Sequence, residues 1–165
     1  MDQCAGKPSC SVHAAAISAA AERLDDMDWQ GVPGSICHGD LTLENMLVCQ
    51  KRGVVFIDCD DCFASSYWLD VAKLFQDVTG HWCLRNLYLA DQAGRDLLNA
   101  VQRLDRLAPA LRALVALMEP SLAIRLPQFA ALHLFRTLPY TQDEKLVAFV
   151  LTRISAVLSS ASRRP

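Results

Sequence analysis

The sequence predicts an α+β fold that is mainly α-helical, with one short β-hairpin carrying two polar loops. Three observations predict it. Beyond residue 66, apolar residues recur almost throughout at spacings of three and four, the period of a helix face. Two short apolar runs, Met46 to Cys49 and Val54 to Ile57, flank Gln50-Lys51-Arg52-Gly53, which has the composition of a hairpin turn. With 165 residues, 52% of them hydrophobic, the chain can bury one core and reads as a single domain over residues 1–165. Residues 1–10 and 159–165 are expected to be flexible ends.

The elements follow in order. Ser11 to Met27 reads as a helix: Ala14, Ile17, Ala21 and Leu24 share a face, with Ser11 as N-cap. Gly31-Val32-Pro33-Gly34 ends that pattern, and Ser35-Ile36-Cys37 is short and β-compatible. The polar loop His38 to Asn45 then leads into the hairpin, with Gly53 at its positive-φ position. An irregular acidic segment runs from Asp58 to Tyr67, and Trp68 to Val78 reads as a helix with Asp70 in its first turn. Four further helical stretches follow: Asp91 to Leu107, Pro109 to Met118, Pro120 to Leu138 and Gln142 to Leu158. Pro109, Pro120 and Pro139 punctuate them, and Pro127 should kink or split the third.

Composition excludes several classes. The formal charge of −2 offers no general attraction to nucleic acid. No run reaches the roughly 18–20 apolar residues of a membrane span. Val12 to Ala21 follows an acid and a single Lys7, a poor signal peptide, so a cytoplasmic location is expected. Seven cysteines scattered through apolar segments do not form a disulfide framework. Cys59 and Cys62 have C-x-x-C spacing, but no second close Cys or His pair completes a zinc site, so small apolar filler is the better reading. The histidines at 13, 81 and 133 read as surface or satisfied core residues, and Trp29, Trp68 and Trp82 as packing residues.

The chemistry sits in His38-Gly39-Asp40-Leu41-Thr42-Leu43-Glu44-Asn45 and in Asp58. A hairpin folds its ends together, so Asn45, entering one arm, and Asp58, leaving the other, should lie side by side. An Asp, an Asn five residues on and a second Asp across the hairpin are what phosphoryl transfer needs. One carboxylate takes the proton of the attacking hydroxyl; an amide oxygen and another carboxylate hold magnesium on the nucleotide.

These residues resemble a known group. His38-Gly39-Asp40-x4-Asn45 is similar to the catalytic loop of the aminoglycoside phosphotransferase and choline kinase superfamily, itself similar to protein kinases in its second (C-terminal) lobe. Ile57-Asp58-x-Asp60 looks like that family's metal segment, and Trp68-Leu69-Asp70-Val71-Ala72 like the helix start that follows. The resemblance implies a protein-kinase-like C-lobe and ATP-dependent transfer to a small-molecule hydroxyl. It implies Asp40 as the base, Asn45 and Asp58 as Mg2+ ligands, and Asp60 toward a second metal. His38 would fix the loop, and Asp70 would brace it by accepting backbone hydrogen bonds.

The resemblance also implies a first lobe that covers ATP and grips its phosphates with a Lys. The 37 residues before His38 offer neither a Gly-rich loop after a strand nor a Lys other than Lys7, so that lobe is expected to be absent and nucleotide binding to be weak. The surface so left would favour association with another chain. Residues 91–165 carry 6 acidic and 10 basic side chains, a poor match to a polycationic aminoglycoside, so a sugar-like or other non-cationic alcohol is the expected acceptor. A solvated face is the ordinary reading of the arginines at 95, 103, 106, 112 and 125. Two competing readings are a kinase-like module kept for interaction, without catalysis, and a zinc protein using Cys59 and Cys62.

Overall fold

The computed structural model describes residues 13–25, 27–60, 65–90 and 94–161. Helix α1 spans Ala14–Asp25, inside the predicted 11–27; Ser11 lies outside the described residues. Strands β1 (Met46–Cys49) and β2 (Gly53–Phe56) form an antiparallel pair in which Met46 faces Phe56 and Cys49 faces Gly53. Gly53 sits at φ 72°, the conformation the turn requires. Helices α2 (Tyr67–Gly80), α3 (Arg85–Leu89), α4 (Arg95–Met118), α5 (Pro120–Phe135) and α6 (Glu144–Ala161) make up the rest. The fold is therefore mainly helical with a small antiparallel sheet.

Helix α2 begins where Ser66, in an extended conformation, caps the Trp68 N–H. It ends at His81, which holds the left-handed region (φ 55°) because its ring is fixed between Tyr88 and Asp105. The core forms where α2, α5 and α6 pack together, around Phe75, Phe129, Leu134, Val150 and Ile154. Helices α1 and α4 close it from either side. Trp68 is buried with its ring edge on Phe129, and Trp29 meets the same phenyl ring while staying partly exposed.

The structure corrects the element boundaries in three places. Residues 95–118 form one helix through Pro109, with no break there. The ring deprives one carbonyl of its partner, but Asp105, four residues earlier, is exposed, so its carbonyl is open to solvent. Packing on both sides, by Leu104, Val115 and Arg112 over Phe75, holds the helix straight through. Pro127 likewise sits inside α5 without splitting it. Ser35-Ile36-Cys37 forms no strand: among the described residues its only backbone bond across the fold is Ser35 N–H to Ser65 O, and Ile36 is 98% exposed. Among the described residues no helix is long and apolar enough to cross a membrane.

Candidate active site

The loop from His38 to Asn45 is shaped by one face of α2. Asp70, Lys73 and Asp77 stand at i, i+3 and i+7, so they project from the same side of the helix. Each takes one part of the loop. The Asp70 carboxylate accepts from the backbone N–H of His38 (2.6 Å) and of Gly39 (2.9 Å). The Lys73 ammonium meets Asp40 Oδ1 at 2.7 Å. Asp77 Oδ2 accepts from the Leu43 N–H at 2.6 Å. Asp70 and Asp77 are both buried, so these bonds to charged acceptors compete little with water.

Within the loop, Asn45 closes the ring. Its Nδ2 donates to the Asp40 carbonyl and to Asp40 Oδ2, each at 2.9 Å. Both oxygens of the Asp40 carboxylate are thus held, one by Lys73 and one by Asn45, and the side chain has a fixed direction. A carboxylate has about four lone-pair positions, so acceptor capacity remains on each oxygen. Because the Asn45 amide turns its nitrogen to Asp40, its oxygen is the atom left for a cation. His38 Nδ1 accepts the Asp40 N–H at 3.4 Å, and its ring stands edge-on to Phe56.

The second polar segment is tied to the first by its backbone. Ile57 N–H donates to Asn45 O and Asp60 N–H to His38 O. Asp58 therefore lies one residue past the position opposite Asn45. It is exposed and holds φ 56°, a region that non-glycine residues seldom enter. Gly39 has φ 87°, and a Cβ there would lie 1.9 Å from the Asp60 carbonyl oxygen, so only glycine allows the two segments to approach this closely. Cys59 is exposed, and Asp61 and Cys62 lie outside the described residues.

A cavity of about 360 Å³ opens beside Asp40. Gly39, Asp40, Asp60 and Lys73 line it together with Arg136, Thr137, Tyr140 and Thr141, which come just after α5. Trp82 and His133 also line it. His133 is buried, its Nε2 within 3.1 Å of Leu69 O. Burial, reinforced by the positive charges of Lys73 and Arg136, pushes its pKa down to about 3, so it is neutral. Among the described residues no group of three or more His, Cys, Asp or Glu converges as a metal cage. Magnesium delivered on phosphates needs only one or two protein carboxylates, and Asn45 and Asp58 fit that smaller demand.

Residues 1–90, which hold the loop, the hairpin and the α2 face but not the cavity residues from His133 onward, match a model of the phosphotransferase enzyme family (APH). The chain belongs to that family. No curated protein and no solved structure matches it. Loop 38–45, the hairpin, segment 57–60 and the α2 start all fall inside the matched residues. Lys73 and Asp77 were not singled out in the sequence, although charges three and four residues apart beyond Asp70 are the signal that could have found them. The cavity residues Arg136 to Thr141 had no such signal.

Proposed function

We propose that this phosphotransferase-family chain moves the γ-phosphoryl group of ATP to a hydroxyl of a small, non-cationic alcohol, using a protein-kinase-like second-lobe site. The observation that carries the proposal is the Asp40 carboxylate, held by Lys73 and Asn45 at the edge of a cavity of about 360 Å³. That volume suits a small ligand. Asp40 orients the acceptor hydroxyl and takes its proton as the oxygen forms a bond to phosphorus; the bond from phosphorus to the bridging oxygen breaks, and ADP leaves. Asn45 and Asp58, with Asp60, would hold Mg2+, which neutralises charge on the phosphates. His38 and Asp70 keep the loop in place.

Full turnover is proposed to require a nucleotide-covering lobe beyond the described residues. Ile36 (98% exposed) and Val48 (87%), beside the hairpin, are apolar surface such a lobe or a partner chain would cover. The same exposed residues favour the second reading, an interaction module without catalysis. One measurement separates them: titration with an ATP analogue, with and without magnesium, in the wild type and in Asp58→Ala. Magnesium-dependent binding that disappears in the folded variant supports phosphoryl transfer. Binding that ignores both magnesium and Asp58 rejects it.

A further inference from the structure

Tyr140 differs from the other residues that line the cavity beside Asp40. Its ring is 82% exposed, yet the turn that carries it is firmly held. That turn is a single 3₁₀ turn, Leu138–Tyr140, anchored by a completely buried Leu138 and stiffened by Pro139. Tyr140 N–H donates to Thr137 O and Thr141 N–H to Leu138 O, each at 3.1 Å. The backbone therefore presents the ring in a fixed place while leaving most of its surface uncovered. A lone exposed aromatic is ordinary on a protein surface. One fixed at a cavity that Asp40 also lines is a ready contact for a ligand.

Trp82 adds a second ring to the lining. Arg85 lies 4.6 Å from the centre of that ring, donates to the Trp82 carbonyl at 3.1 Å and to Glu44 at 2.8 Å, and so pins the indole. The polar part of the lining is mixed. Among the described residues it has two acids, Asp40 and Asp60, two bases, Lys73 and Arg136, and the hydroxyl of Thr137. Thr137 Oγ1 gives its proton to Leu134 O at 2.7 Å, so its oxygen is left to accept. Aromatic surface among donors and acceptors of both signs suits a molecule with flat apolar faces and a polar edge. A pyranose ring has that form, with C–H groups on its faces and hydroxyls around its edge. An open-chain polyol carries the same hydroxyls but no flat face.

We infer that the acceptor is a neutral sugar in its pyranose form, which lays a C–H face on the Tyr140 ring while a hydroxyl at its edge reaches Asp40. The inference rests on the phosphotransferase reading and narrows it from any small non-cationic alcohol to a cyclic sugar.

The test titrates glucose, galactose and mannose into the full chain by NMR without nucleotide. Sorbitol is the open-chain control, and gluconate and choline are the charged controls. At least one hexose should bind about five-fold or more tighter than sorbitol, with its C–H resonances moved upfield by the aromatic ring current and with NOE contacts to the Tyr140 ring. Tyr140→Ala should weaken that hexose about ten-fold and abolish the upfield shift, whereas Tyr140→Phe keeps affinity within about two-fold. The side chain is exposed, so both variants should keep the wild-type circular dichroism spectrum. A smaller preference over sorbitol, hexose affinity that survives Tyr140→Ala, tighter binding of choline or gluconate than of every hexose, or no hexose binding would each overturn the inference. The titration contains no nucleotide, so its failure leaves phosphoryl transfer standing. Failure of magnesium-dependent nucleotide binding would instead strike the reading beneath it.

Discussion

Replacing Asp70 by Ala tests how far α2 dictates the loop that carries Asp40. The carboxylate is 7% exposed and accepts two backbone N–H groups, from His38 at 2.6 Å and Gly39 at 2.9 Å. Hydrogen bonds to a charged group contribute about 1.5–3 kcal/mol each, and little water reaches this site to replace them. The loss of the pair should cost about 3–6 kcal/mol. For a chain of this length that is a fall in Tm of about 10–20 °C. Asp70→Asn keeps one acceptor oxygen but turns an NH2 group toward the other N–H, so it should fall between wild type and Ala. Circular dichroism melts of the three proteins give the ranking. A Tm for Asp70→Ala within about 3 °C of wild type would mean that the loop holds its shape without α2.

Gly39→Ala forces a Cβ to within 1.9 Å of the Asp60 carbonyl oxygen, so the two polar segments must part; phosphotransfer should fall about 100-fold, and an unchanged rate would refute the close approach. Lys73→Met removes a partly exposed ion pair that contributes about 1 kcal/mol or less, yet it releases one oxygen of Asp40. A small change in Tm with at least a ten-fold loss of phosphotransfer is expected, whereas an equal rate would make the pair incidental. Burial pushes the Asp77 carboxyl up from 3.8 to about 6, against the opposing pull of the Leu43 N–H. The folded state therefore holds this proton more tightly than the unfolded chain. The contribution of Asp77 to stability is fully present below pH 3.8 and is lost as pH rises through about 6. Urea unfolding from pH 4 to 7 should show wild type losing about 2 kcal/mol relative to Asp77→Asn, and a difference that does not vary with pH would reject the assignment.

Much of the site's loop and hairpin was legible because its signals are local. The hairpin was readable from two apolar runs and a Gly that must take positive φ, and its register puts Asp58 one residue past the position opposite Asn45. The bracing role of Asp70 came from the family resemblance of the segment Trp68 to Ala72, and the structure shows its carboxylate accepting from His38 and Gly39 N–H. Lys73 and Asp77 were not legible, because a charged residue on a helix is ordinarily solvated. Only the docking of loop 38–43 on α2 turns that face inward. The rest of the cavity lining depends on packing between elements distant in sequence: Arg136, nearly a hundred residues beyond Asp40, reaches the same cavity because α5 packs along α2. Pro109 misled for the converse reason, since the local cost of a missing N–H was outweighed by tertiary contacts on either side.

The ion pair between Lys73 and Asp40 bears on which function survives. A carboxylate held by Lys73 at 2.7 Å and by Asn45 at 2.9 Å has little freedom to turn toward a reacting proton. Phosphoryl transfer makes a smaller demand. In a loose transition state the attacking hydroxyl keeps most of its proton until late, and the carboxylate acts mainly by fixing the direction of attack. For that task, two held oxygens are better than two free ones, because the geometry is set before the acceptor arrives. The proposed phosphoryl transfer would use an Asp40 aimed from both sides and a loop seated on three charged residues of one helix face.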